Sequence, residues 1–241
     1  MSKYKSDFYS RKASYAGAII GGLVLFLCLV CVSVVFTLNF RPLYYLDMKL
    51  LHISEQSGFD SDVIRRNYDV LIAYNNIGHS GALEFPDFTM SESGRIHFEE
   101  VKKVFAIFEY GALILIVVSA ALVIRAKRKR SYRIFAAAGA FSIGIPAGLG
   151  ILIAVNWEWV FITFHRLVFR NDYWLFDPST DPVIQILPDA FFMHCAALIL
   201  LLILAGSVGF FIAWEKGEKD RKKEIRKEIQ TNRKTKMPSG H

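Results

Sequence analysis

The sequence predicts an all-α membrane protein: four transmembrane helices, a mostly helical extracellular cap, and both termini cytoplasmic. Three observations predict it. Hydrophobic residues make up 53% of the 241, mean hydropathy is +0.32 and only 21% are charged, too apolar for an ordinary soluble domain of this size. Four apolar runs, Ala16–Leu38, Val104–Ile124, Ile134–Val155 and Phe191–Trp214, each reach about 30 Å or more at about 1.5 Å per residue, which spans the hydrocarbon core. Basic residues gather at alternate ends of these runs, and the two long connections hold few for their length.

That asymmetry sets the orientation. Lys3, Lys5, Arg11 and Lys12 precede the first run; Arg125, Lys127, Arg128, Lys129, Arg130 and Arg133 crowd the second link; the tail from Lys216 to Lys236 is basic again. The positive-inside rule then places 1–15, 125–133 and 215–241 in the cytoplasm, with spans at 16–38, 104–124, 134–155 and 191–214. Residues 39–103 and 156–190 form the two parts of the extracellular cap. The net charge of +7 lies in membrane-flanking blocks, so it is an orientation signal and no nucleic-acid partner is expected. The tail reads as a solvated helix against anionic lipid.

The first span is too long for a signal-peptide core and has no A-x-A cleavage site behind it. Cys28 and Cys31 fall inside it and Cys195 inside the fourth, so they are small apolar fillers and no disulfide staples the cap, as suits a Gram-positive exterior. Gly17 with Gly21, and Gly144 with Gly148, are spaced for close helix approach, and Pro146 is placed to kink span three.

Within the cap, "YYLDMKLLHISEQSG" is a helix stopping at Gly58. "SDVIRRNYDVLIAYNN" is another, opened by Asp60 or Ser61. "GALEFPDFTM" is Pro-broken and extended. "SESGRIHFEEVKKVF" starts at Ser91 or Ser93 and runs on into span two, and "WEWVFITFHRLVF" continues from span three. Asp181-Pro182 and Pro188-Asp189 are helix starts, the second leading into span four.

Four polar features bear on chemistry. "GHSGA" at Gly78–Ala82 is a near miss for a nucleophile elbow, but that motif needs a strand before the serine and a parallel sheet around it; a turn fits better. "HFEE" with His97, Glu99 and Glu100 lacks metal-ligand spacing, so no metal and no cofactor are expected. Glu109 lies a turn or two inside span two, where a charge needs a polar partner such as a cap arginine or has a functional role. His97 and His165 each lie about one to two helical turns outside a span, on the same side, flanked by Ile96 and Phe98, and by Phe164 and Leu167. Burial of that kind keeps imidazole neutral and able to act as a base near pH 7. His52 and His79 have no such setting, and His194 at the start of span four reads as a cap.

"MSESGRIHFEEVKKVF", "FHRLVFRNDYWLFDPSTDPVIQILPDAFF" and the early "RPLYYLDMKLL" resemble the Gram-positive family of integral membrane proteins that includes the lipoprotein intramolecular transacylase. The likeness covers most of the chain before the basic tail, and "WLFDPSTD" is its most specific run. It implies that His97 and His165 are the catalytic histidines. It also implies the reaction: one acyl chain passes from the diacylglyceryl group of a lipoprotein's N-terminal cysteine to that cysteine's own α-amino group, leaving an N-acyl lyso-form lipoprotein. The expected partners are therefore diacylglyceryl-modified lipoproteins and membrane lipid, and the expected setting is a multi-pass cell-membrane protein with its site on the extracellular side.

The chemistry agrees with the residues. Amine and ester belong to one molecule, so neutral histidines can move the proton without a serine or cysteine nucleophile. Arg166, Asn171, Tyr173 or a backbone N–H are candidate oxyanion or substrate contacts. Trp157, Trp159, Phe161, Phe164, Tyr173 and Trp174 suit a membrane interface and an acyl slot. Asp177 and Asp181 are expected to shape their turn. The rival class is a non-catalytic adaptor using the cap and the basic tail; a transporter is weaker, because beyond Glu109 the spans hold almost no polar residues.

Overall fold

The computed structural model describes the backbone of residues 2–236 and the side chains of residues 15–231. The basic side chains of Lys3, Lys5, Arg11, Lys12, Arg233, Lys234 and Lys236 therefore lie outside the described residues. The chain is all-helical over what is described: α1 (Ser2–Asn39), α2 (Arg41–Leu50), α3 (Ile53–Ser57), α4 (Ser61–Tyr74), α5 (Glu92–Arg128), α6 (Arg133–Val155), α7 (Trp157–Val168), a 3-10 turn at Pro182–Ile186, and α8 (Asp189–Lys236). Four of these, α1, α5, α6 and α8, are long and apolar enough to cross a membrane. Their outward faces carry side chains such as Ile20, Ile107, Val117 and Ile151, each more than 60% exposed. Such a belt is stable only against lipid.

Two compact units share these helices. The first comprises residues 1–27, 115–144 and 204–241. In it the close approach occurs at Gly22, where a Cβ would fall 2.5 Å from the Ala137 Cβ. The expected pairs do not make it: Gly17, Gly144 and Gly148 have open space around them, and only Gly21 has a near neighbour, Ile134. Spacing by four residues finds a helix face but not the partner, and here the partner helix crosses one residue further on.

The second unit, residues 28–114 and 145–203, contains the helices of the long connections. Its core joins Tyr44, Met48, Ile53, Ile64, Tyr68, Leu71, Phe98, Val183, Ile186 and Phe191. Tyr44 and Tyr68 stack at 3.6 Å between ring centres, and the Tyr44 hydroxyl donates to the Ile186 carbonyl at 2.7 Å. Burying two phenols this way is stable because the hydroxyl of the deeper one is satisfied.

Two boundaries differ from the sequence reading. The helix expected to run unbroken to Gly58 divides at His52, which adopts left-handed dihedrals (φ 50°, ψ 41°). Helical phase explains the break. Tyr44, Asp47 and Met48 define the buried face of α2, and five residues beyond Met48 a straight helix would turn Ile53 about 140° off that face. The left-handed step returns Ile53 to the core, 1% exposed. Likewise α7 does not continue α6: Asn156 leaves the helix at φ −158°, and its side chain accepts the Trp159 N–H at 2.9 Å, starting a new helix. Pro146 lies inside α6 without ending it.

Candidate active site

His97 comes from α5, whose entry is held from both sides. The Ser91 hydroxyl accepts the Gly94 N–H at 3.0 Å, and Asp181, 2% exposed, accepts the Ser91 N–H at 2.8 Å. His97 precedes by seven positions the apolar run that begins at Val104. His165 comes from the last turn of α7. Its Nδ1 lies 2.8 Å from the Phe161 carbonyl, one turn earlier. A carbonyl only accepts, so Nδ1 carries the proton and the free lone pair is on Nε2.

The two imidazoles face each other at 6.1 Å between ring centres. Phe169, 5% exposed, touches both, at 4.7 Å from His97 and 5.6 Å from His165. Phe176 packs on His97 at 5.4 Å; Phe161 and Trp174 pack on His165 at 4.2 and 4.8 Å. This enclosure disfavours charge. Burial, reinforced by the neighbouring His165, pushes the His97 pKa down to about 4. Burial also lowers His165, opposed by its hydrogen bond to the Phe161 carbonyl and by the charge of Asp189. Both rings are neutral at pH 7, the state a proton acceptor needs.

The other residues singled out from sequence fall into place unevenly. Asn171 is near the site, but its amide nitrogen donates to both oxygens of Glu100 at 3.1 Å and its oxygen accepts the Tyr173 N–H. Tyr173 is 42% exposed. Arg166 is exposed and makes no ion pair among the described residues. Asp177 accepts from the backbone N–H and the hydroxyl of Ser179, and Asp181 from Ser91 and the Thr180 hydroxyl. Glu109, 7% exposed, accepts the Ile77 N–H at 2.7 Å in place of a cap arginine. The Gly78–Ala82 stretch is irregular, with a turn at His79. His194 is not a cap: its Nδ1 meets the carboxylate of Asp47, 1% exposed, at 2.9 Å. Sequence reasoning missed that pair, Phe169, and the Glu100–Asn171 bridge. Only Phe169 left a signal, as the first apolar residue past the end of a helix carrying His165.

The fold and this pair of rings define a multi-pass membrane protein with two neutral imidazoles in an aromatic enclosure. The lipoprotein intramolecular transacylase (Lit) family profile matches residues 19–192. A solved structure of the membrane-integral lipoprotein intramolecular transacylase from Bacillus cereus is 33% identical, covers 88% of this chain and 98% of its own, and superposes with a TM-score of 0.84. Two variants of the Bacillus cereus protein, with a histidine replaced by arginine or by alanine, superpose at 0.82 and 0.81, each at 31% identity and 99% of their own length. They cover 92% and 90% of this chain. No curated protein matches the chain. The chain belongs to the lipoprotein intramolecular transacylase family and is an acyltransferase.

Proposed function

We propose that this protein moves one acyl chain from the diacylglyceryl group of a lipoprotein's N-terminal cysteine onto the α-amino group of the same cysteine. The site lies on the extracellular side of the membrane, in a cap built from 39–103 and 156–190 between cytoplasmic termini. The distribution of basic residues supports that orientation. The observation that carries the reading is the facing pair His97 and His165, both held neutral inside one aromatic enclosure.

His165 is the principal acid–base group, acting through Nε2. His97 is its partner. Its Nδ1 is buried without a hydrogen-bond partner. An orphaned N–H donor is more costly to bury than an orphaned lone pair. The proton of His97 therefore sits on Nε2, from which it can donate a hydrogen bond. As the amine nitrogen bonds to the ester carbonyl carbon, it sheds a proton to His165. When the carbon–oxygen bond breaks, protonated His165 returns that proton to the leaving glyceryl oxygen, giving an amide and a free hydroxyl. No external nucleophile is needed, because both reacting groups are tethered.

Mass spectrometry of a reporter lipoprotein co-expressed with the protein tests this. The expected product carries an N-acyl group and a lyso-glyceryl cysteine. His97→Ala and His165→Ala, expressed normally, lower its yield by about 10²–10⁴-fold; unchanged lyso product in both variants overturns the site.

A further inference from the structure

We propose that Glu100 is the ammonium-binding residue of this site, recognising the protonated primary amine of the substrate; the proposal rests on the transacylase reading above. Glu100 follows His97 by three positions on α5, so the two side chains share a helix face with Cβ atoms about 5–6 Å apart. Across from it, Asn171 holds both carboxylate oxygens at 3.1 Å. Asn171 lies between Phe169 and Trp174, the rings that pack on the histidines. The carboxylate is thus held by one amide, two positions along the chain from the Phe169 ring that packs on both histidines.

Its pairing is incomplete. A carboxylate offers about four lone-pair positions, and Asn171 fills only part of them. Glu92 and Glu99, on the same helix, are both paired with Arg95. Glu100 has no lysine, arginine or histidine partner among the described residues. A half-buried carboxylate without a counter-charge is unfavourable on its own, and a cation entering the site offsets that cost.

The substrate brings such a cation. An α-amino group titrates near pH 8, so at neutral pH it arrives mostly as ammonium. Glu100 orients it beside His97, with His165 across the pocket. One proton then leaves through His165 to water, and the free amine attacks. The nitrogen sheds its second proton as the C–N bond forms, and the glyceryl oxygen takes one up as the C–O bond breaks. Per turnover, ester plus ammonium becomes amide, alcohol and one released proton.

The test uses the full-length protein in lipid nanodiscs and two synthetic lipopeptides: one with a diacylglyceryl cysteine and a free α-amine, the other a des-amino twin with hydrogen in its place. Wild type is expected to bind the amine at least tenfold tighter than the twin. Glu100→Gln keeps an acceptor for Asn171 but loses the charge; it is expected to abolish that preference while leaving affinity for the twin unchanged. Glu100→Asp should retain part of the preference. A Glu100→Gln protein with the wild-type preference, or with equal loss for both ligands, overturns the proposal. Amine-selective binding in a wild type that makes no lyso product would overturn the reaction and leave the ammonium site standing.

Discussion

Asp181 accepts the Ser91 N–H at 2.8 Å and so joins the turn after "WLFDPST" to the first residue before α5. The carboxylate stands where a helix N-terminus has unpaired donors and a partial positive charge. It ties the segment that walls the site to the helix that carries His97.

Breaking this tie should loosen His97 without touching it. Asp181→Ala is expected to cost about 1–3 kcal/mol, the penalty for a buried donor left unmatched. Gly94→Ala should act similarly, because its Cβ would collide with Asp181 Oδ1. Thermal unfolding in detergent measures both.

Acid should inactivate the enzyme below the usual histidine range. Both site histidines have lowered pKa values, His97 to about 4, so the neutral pair persists as pH falls past about 6.5. The limb of the rate profile that reports the histidines is expected below that value, as a second fall beneath the one that the substrate amine sets at about pH 8. The stability link has the same sign: the unfolded chain takes up protons first, so stability is full above about pH 6.5 and is lost as pH falls toward 4. Rates of lipopeptide conversion between pH 4 and 8 locate the limb.

Phe169→Ala removes the ring that touches both imidazoles. Water then reaches His97, and its pKa should rise toward the ordinary value. Diethylpyrocarbonate should modify His97 faster than in wild type, as peptide mapping would show, while activity drops.

The Asp47–His194 pair should respond unequally to its two deletions. The side chain of Asp47 is 2% exposed and that of His194 is 35% exposed. His194→Ala strands a buried carboxylate and should destabilise more than Asp47→Asn, which leaves a ring that water can reach. Chemical denaturation of the two variants ranks them.

Much of this was legible in the sequence, for physical reasons. Membrane-spanning helices satisfy their own backbone and must be apolar, so composition alone marks them. Both histidines stood out as titratable groups in aromatic settings. What was hidden depends on long-range phase. Asp47 and His194 are 147 positions apart, and no local pattern predicts their meeting. The break at His52 was invisible because its local propensities suit a helix; only the core demands that Ile53 turn inward. Asn171 drew notice as a donor, yet its donors are engaged by Glu100, which stood out in the sequence only within "HFEE", a run without metal-ligand spacing.

α5 is an unbroken helix of 37 residues, about 55 Å long against a hydrocarbon core of about 30 Å. His97 precedes Val104 by seven positions, about 10 Å along the same rod. His97 is thus mounted on a mast whose apolar part is long enough to cross a bilayer. A thicker or thinner membrane should move that mast relative to the lipid surface, and with it the height of His97. If the proposed reaction runs at His97, the acyl-chain length of the host membrane should change its rate, which conversion in bilayers of graded thickness measures.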